Sequence, residues 1–248
     1  MDIQRDFDLL DIPMEGVAAY WLSLKQLHTG KRNAQLLLEE AAYTTEPYVK
    51  YLLETAFSSL DDTRIRDLAA AKAETLLTEL GRKLDLMRLA LLDIAATENP
   101  RKSLAKMTAK FAAPPLREEQ AFQLAQELAQ VAGETPNERS RYVNVSHRLR
   151  PDKLIVVLLF YVIWSRHQGK IGCEPLLQHI DSAFFADGLS LAIDGFDAPF
   201  LRKRLRVHRD SILAETHSKM RMAAAMCLGI RAKLSYEEIF HIAKAYMT

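Results

Sequence analysis

Residues 154–164, with the sequence LIVVLLFYVIW, form the most apolar stretch of the chain. The stretch is 11 residues long, whereas a helix needs about 20 consecutive apolar residues to cross a bilayer. It therefore predicts a helix that is buried inside the protein and does not span a membrane.

On both sides of this stretch, apolar residues recur at spacings of three and four, and only nine glycines and nine prolines interrupt them. This spacing is typical of packed α-helices, because residues three and four positions apart share one face of a helix. We therefore predict an all-α protein without strands. The predicted helices are 15–28, 33–43, 47–58, 63–97, 101–110, 117–132, 151–167, 175–181, 184–193, 198–230 and 235–247.

Helix starts are indicated at two places by residues that can accept hydrogen bonds from free backbone N–H groups. Ser235 followed by Glu238 is the pattern of a capping box. Asp62 is predicted to cap the long helix that follows it.

Between the predicted helices, residues 132–151 are rich in turn-forming residues and have no apolar period, which indicates a boundary.

An internal repeat is indicated by similar segments on either side of this boundary. Residues 30–38 correspond to 169–177, and the apolar positions of the predicted helix 63–97 overlay those of 198–230. We predict two related helical halves, each with short helices and one long helix: 1–132, a connector at 133–150, and 151–248. The alternative is that the match is accidental, because any two amphipathic helices can be aligned so that their apolar positions overlap.

Composition excludes several classes of function. The net charge is +1, so no overall field attracts nucleic acid or anionic lipid. Cys173 and Cys227 are far apart and form no CxxC pair, which predicts reduced, partly buried thiols. Residues 1–10 lack the order of a signal peptide, and we expect a cytoplasmic protein.

Catalytic patterns are missing from the sequence. It contains no GxSxG, no glycine-rich phosphate loop, no HExxH and no carboxylate cluster at metal-ligand spacing. His208 and His217 are nine residues apart and do not share a ligating face of a helix. We therefore predict a protein that is not an enzyme and has no cofactor and no metal site. An enzyme with an unrecognised site is the alternative.

A cluster of basic residues lies near the start of the predicted helix 198–230. Leu201 and Leu205 mark the buried side of this helix. The cluster is either an ordinary solvated helix face or a docking patch for an acidic partner. Its members are Arg202, Lys203, Arg204, Arg206, His208 and Arg209.

Residues 225–230 have a spacing found around the turn of DNA-binding helix-turn-helix motifs. The helix that follows begins with Tyr236, Glu237 and Glu238. Because two carboxylates at the front of a recognition helix repel phosphate, we expect no binding of nucleic acid.

The stretch 187–197, DGLSLAIDGFD, has a glycine, an apolar alternation and then Asp-Gly-x-Asp before a long charged helix. We expect Gly195 to end one helix and Asp197 to cap the next. From about 153 to 230 the chain resembles the cytoplasmic part of flagellar stator A-subunits (MotA/PomA) and, more distantly, the MotA/TolQ/ExbB family.

The resemblance implies a role for two residues. Arg166 and Glu174 match the positions of an arginine and a glutamate that, in the family, engage the rotor switch protein. Each also has an ordinary structural explanation, because Arg166 can complement a helix C-terminus and Glu174 precedes Pro175. At the equivalent positions of the first half stand Leu27 and Gln35, which predicts that this half is a scaffold.

The family's transmembrane helices are missing from both halves, so we expect no ion conduction by this chain alone. The leading hypothesis is a soluble, non-enzymatic stator-like protein that binds a flagellar motor component through charged helix faces. A helical scaffold or adaptor that binds through an exposed apolar groove is the alternative, and a DNA-binding protein is a less favoured one. The sequence leaves a homo-oligomer open. The predicted partner contacts are Arg166, Glu174, Arg202, Lys203, Arg204, Arg206 and Arg209.

Overall fold

The computed structural model describes residues 7–27, 39–56, 58–134 and 142–247. Within these ranges the chain forms helices and no strand, which confirms the all-α prediction. Residues 39–43 are helical as well, and the rest of the predicted helix 33–43 lies outside the described residues. The α-helices are α1 (Met14–Leu27), α2 (Pro47–Ala56), α3 (Asp62–Ala95), α4 (Pro100–Thr108), α5 (Glu118–Glu134), α6 (Pro151–Gln168), α7 (Ala183–Ile193), α8 (Ala198–Arg231) and α9 (Tyr236–Lys244).

Two local predictions need correction. In place of the predicted helix 175–181, the chain forms a 3₁₀-helix at Ile171–His179. Pro175 lies inside this segment and has no N–H to donate, which disfavours a regular α-helix there. At the start of α3, Asp61 rather than Asp62 accepts the backbone N–H of Arg64, at 2.9 Å. Asp62 is itself the first residue of the helix.

The capping box at the start of α9 is confirmed. Ser235 accepts the backbone N–H of Glu238 at 3.2 Å, and the Glu238 carboxylate accepts the backbone N–H of Ser235 at 2.7 Å. These hydrogen bonds lower the pKa of Glu238. The reciprocal pair satisfies two N–H groups that otherwise have no partner at a helix start.

The chain divides into two compact units, which are described separately. Unit 2 comprises Glu79–Ser211, and α6 lies at its centre. Every residue from Leu154 to Ser165 is buried, and α6 packs against α4, α5 and the 3₁₀-helix. A helix that is apolar on all sides needs this complete cover, so the burial predicted for 154–164 is confirmed. No helix in the described ranges combines the length and apolarity that crossing a membrane requires.

Unit 1 comprises Met1–Thr78 together with Ile212–Thr248, so its core draws on both ends of the chain. Helix α1 packs against α9. Large side chains from α1, α2, α8 and α9 meet in one apolar cluster, and the apolar surface that they bury stabilises the unit. Its fully buried members include Trp21, Tyr48, Leu52, Leu53, Met222 and Ile239.

Arg231, the last residue of α8, holds the connection between α2 and α3 within unit 1. Its guanidinium donates to the carbonyl oxygens of Ala56 and Leu60 and, at 3.2 Å, to that of Ser58. Its Nε lies 2.8 Å from Asp62 Oδ1. The carbonyl of Ala56 belongs to the last turn of α2, where backbone oxygens have no partner inside the helix. Arg231 therefore stabilises the end of α2 and the segment that follows it.

The two units do not coincide with the two predicted halves, since unit 1 takes residues from both. The long helices α3 and α8 have 34 residues each, and each contributes to both units. Equal length is compatible with a duplication but does not establish a common origin. The duplication, with its halves 1–132 and 151–248 and its connector 133–150, stays a prediction.

Both cysteines are free and buried, Cys227 in unit 1 and Cys173 in unit 2. Burial raises the pKa of each thiol to about 12. Because the thiolate is the reactive form, we expect a thiol reagent at pH 8 to modify neither residue in the folded protein. Denaturant should expose both, which a colorimetric thiol titration with and without urea measures. Rapid reaction of one thiol in the native protein would contradict the buried placement.

Candidate docking surface

The orientation of α8 is set by the turn before it. Gly195 follows the end of α7 and has a φ of +84°. Glycine adopts this left-handed conformation without strain, so the helical segment ends here. Asp197 then accepts the backbone N–H of Phe200 at 2.7 Å. The predicted roles of Gly195 and Asp197 are therefore confirmed. Leu201 and Leu205 are buried, so the opposite side of the helix faces solvent.

Four of the predicted contact residues are exposed together on this solvent side of α8: Arg202, Lys203, Arg204 and Arg206. We name these four residues the basic cluster. Within the part of the chain that the structure describes, none of them forms a hydrogen bond or an ion pair through its side chain. Among the described residues no carboxylate pairs with these four cations, so their charge is available to a partner. Such a surface favours encounter with an acidic partner.

Arg209 differs from the basic cluster, because its guanidinium is ion-paired inside unit 2. Its Nε lies 3.0 Å from Asp85 Oδ1, and its Nη1 lies 2.9 Å from Asp210 Oδ1. Arg88 of α3 also pairs with Asp85, since its Nη2 lies 3.2 Å from Asp85 Oδ1. Arg209 is half-buried, so its contacts fix α8 against the second part of α3. We assign it a positioning role, while its predicted contact with a partner stays a prediction.

His208 contributes less positive charge to this surface than an ordinary histidine does, because its pKa is lowered. Burial lowers its pKa, the nearby Arg204 lowers it further, and Asp187 opposes this only in part. Its ring lies 5.3 Å from that of Phe184, measured between centroids. The histidine is therefore part of the packing between α7 and α8.

Arg166 and Glu174 lie on other elements of unit 2. Arg166 is exposed in the last turn of α6, and Glu174 is exposed in the 3₁₀-helix. Trp164 Nε1 donates to the carbonyl of Gly172 at 2.8 Å, which ties the 3₁₀-helix to α6. Among the described residues, Arg166 and Glu174 form no ion pair with each other or with the basic cluster. Of the two positions matched in the first half, Leu27 is exposed and Gln35 lies outside the described residues.

Sequence reasoning missed an apolar component of the surface of α8. Phe196, Phe200 and Val207 have exposed fractions of 42%, 45% and 55%. The two phenylalanine rings are stacked with their centroids 4.8 Å apart. A signal was present in the sequence, because phenylalanines four residues apart directly precede the basic residues. It is weak, since the same spacing also describes a buried helix face.

A second surface of unit 2 is an open groove of about 790 Å³ between α5 and the start of α6. Leu124, Val131 and Tyr142 are exposed along it. Glu127, Asp152 and Lys153 also line the groove, so its charge is mixed. Such an apolar groove fits the alternative hypothesis of an adaptor.

The structure shows no turn at the residues that suggested a helix-turn-helix motif. Residues 225–230 lie within α8, which continues to Arg231. The turn follows at 232–233, where Lys233 has a φ of +60°. Glu237 and Glu238 are exposed in the first turn of α9, where their charge opposes contact with phosphate.

Comparison of the chain with models of known protein families, with curated proteins and with solved structures finds no match. The resemblance to flagellar stator A-subunits therefore stays a prediction carried by the residues quoted above.

Proposed function

We propose that this protein is a non-enzymatic helical docking protein that binds an acidic surface of a partner protein through the basic cluster of α8. The observation that carries the proposal is the exposure of four cations on the solvent side of α8, none of which forms an ion pair among the described residues. Long-range attraction between such a surface and a complementary one raises the rate of association and selects among partners. The ion pair of Arg209 with Asp85 keeps this side of α8 presented.

The resemblance to stator A-subunits supports a particular class of partner. We propose a component of the flagellar motor, either the rotor switch protein or the stator itself. Arg166 and Glu174 are proposed as further contacts, because both are exposed and neither is used in a described intramolecular ion pair. The exposed Ile171, with an exposed fraction of 72%, lies between them in sequence and adds an apolar contact.

Charge reversal tests the proposal. The variant Lys203→Glu/Arg206→Glu is expected to weaken binding to purified rotor switch protein by about tenfold or more, because two attractions become repulsions. Binding is measured by calorimetry at about 50 and 150 mM salt, and the higher salt is expected to weaken the wild type more than the variant. The matched control is Lys110→Glu/Arg117→Glu, which makes the same change in net charge at exposed cations elsewhere in unit 2.

If both double variants weaken binding equally, the loss is explained by net charge alone. That result would contradict specific docking through the basic cluster. The single variant Arg166→Glu distinguishes the two grounds for the proposal, which are the exposed basic cluster and the resemblance to stator A-subunits. If it weakens binding as strongly as the change in the basic cluster does, the contact implied by the resemblance is supported. If binding is unchanged, docking involves α8 without Arg166.

A second candidate function is the adaptor that binds through the groove between α5 and α6. The exposed Leu124, with an exposed fraction of 38%, and the volume of the groove favour it. In this case Leu124→Asp abolishes capture of the partner and Lys203→Glu/Arg206→Glu leaves it unchanged. The opposite pattern supports docking through α8.

A further inference from the structure

We infer that Phe196, Phe200 and Val207 form an apolar stripe on α8 that seats an amphipathic, acidic α-helix of the partner protein, with the basic cluster pairing with carboxylates on that helix. The inference rests on the proposed function and specifies the chemistry of the partner at the same surface. It requires that apolar contact, and not charge alone, holds the complex together.

The placement of the stripe follows from helix geometry. Phe200 and Val207 are seven residues apart, which puts them on the same side of α8, nearly two turns from each other. Lys203 and Arg204 lie between them, three and four residues after Phe200. Phe196 extends the stripe beyond the start of the helix, because its ring stacks on that of Phe200. The result is a row of apolar groups interrupted and flanked by cations.

The core of unit 2 does not use this row. The same helix buries Leu201 and Leu205 on its other side, so α8 already has its intramolecular packing face. Single exposed apolar residues are ordinary on protein surfaces. Three large ones in a row, two on a second face of α8 and one just before its start, are typical of an interaction surface.

Complementarity defines the occupant. A helix that packs along α8 at the usual axial distance of about 8–10 Å places residues i, i+3 or i+4, and i+7 against the stripe. Carboxylates beside that seam then reach the basic cluster on either side. The partner segment is therefore expected to have leucine-like residues at helical spacing with glutamate or aspartate next to them.

Two other occupants fit the surface less well. Single-stranded nucleic acid binds by stacking its bases on free aromatic faces along a positively charged groove, whereas here the two phenylalanine rings stack on each other and Asp210 lies beside Arg209. A symmetric pair of identical chains brings the same patch against itself, which sets the four cations of one copy against those of the other. An acidic helix has neither disadvantage.

The test uses the full chain and a labelled synthetic peptide of about 18 residues, long enough for five helical turns. The peptide carries leucines at i, i+4, i+7 and i+11 and glutamates beside them, and a scrambled peptide of the same composition is the comparison. Fluorescence anisotropy measures binding, and circular dichroism measures helix formation. We expect the patterned peptide to bind about tenfold more tightly than the scrambled one and to become helical.

The variant Phe196→Ser/Phe200→Ser is expected to lose about tenfold in affinity for the patterned peptide. Phe240→Ser is the matched control, because Phe240 has a similar exposed fraction of 44% on α9. Thermal melting of both variants verifies that they remain folded. Since all three substituted positions are exposed, we expect unchanged melting.

Three results would overturn the inference: equal binding of the two peptides, no effect of the phenylalanine variant, or tighter binding of a single-stranded oligonucleotide than of the patterned peptide. Failure of the proposed function has a different signature. In that case Lys203→Glu/Arg206→Glu binds rotor switch protein and peptide as the wild type does. If charge reversal weakens binding and the phenylalanine variant does not, the basic cluster docks the partner and the apolar stripe has no part in it.

Discussion

Replacement of Phe160 by alanine is expected to lower the free energy of unfolding of unit 2 by about 3–5 kcal/mol. Phe160 is fully buried in α6, and its ring centroid lies 5.1 Å from that of Tyr161 and 5.6 Å from that of Trp164. Because α6 is covered on all sides by packed elements, the surrounding side chains relax only partly into the space that the missing ring leaves. The loss therefore combines the transfer of the ring to water with an unfilled cavity.

The measurement must distinguish the two units, since unfolding of a protein with two compact units is not necessarily a single transition. The chain has two tryptophans, Trp21 in unit 1 and Trp164 in unit 2. In a Trp21→Phe background, fluorescence during urea unfolding reports on unit 2 alone. The control Phe200→Ala, at an exposed position, is expected to change stability by less than about 1 kcal/mol. Similar losses at both positions would contradict the central placement of α6.

Replacement of Arg231 by methionine is expected to destabilise unit 1 by about 2–4 kcal/mol. The change keeps the apolar stem and removes every hydrogen bond that the guanidinium donates to the carbonyls of Ala56, Ser58 and Leu60. It also removes the ion pair with Asp62. A hydrogen bond to a charged group contributes about 1.5–3 kcal/mol. The expected loss of stability is smaller than the sum of these contributions, because the arginine side chain is 24% exposed and water replaces part of the lost hydrogen bonding.

Arg231→Lys separates the shape of the side chain from its charge. An ammonium group keeps the charge but lacks the planar fork that donates in several directions, so an intermediate loss is expected. Urea unfolding followed by Trp21 fluorescence in a Trp164→Phe background measures both variants. If methionine and lysine at position 231 give the same stability as arginine, the carbonyl contacts contribute nothing to unit 1.

Features that depend on neighbouring residues in the chain were predicted well. The apolar stretch 154–164 identified the central helix, and Asp197, Gly195 and the Ser235–Glu238 pair identified local starts and stops. Each of these involves hydrogen bonds or burial that a short window of sequence specifies. The sequence predicted an α-helix in place of the 3₁₀-helix, because proline is common at the first position of an α-helix.

Features that depend on distant residues could not be predicted from local patterns. Arg209 pairs with Asp85, 124 positions away, and Arg231 binds carbonyls more than 170 positions before it. An arginine in a charged helix looks the same in sequence whether it faces solvent or reaches another element. The sequence marked Leu201 and Leu205 as the buried side of this helix, but it did not show that Phe200, outside that side, is 45% exposed.

The composition of unit 1 from both ends of the chain has a consequence for how the protein is made. Synthesis proceeds from the N-terminus, so α1 and α2 leave the ribosome long before α8 and α9 exist to cover them. Unit 2 is one continuous stretch, Glu79–Ser211, and can complete its core first. The apolar residues of α1 and α2 stay without this cover in the nascent chain until α8 and α9 have been translated. This order makes the early segment the natural target of chaperones, and premature termination within α8 leaves it permanently uncovered.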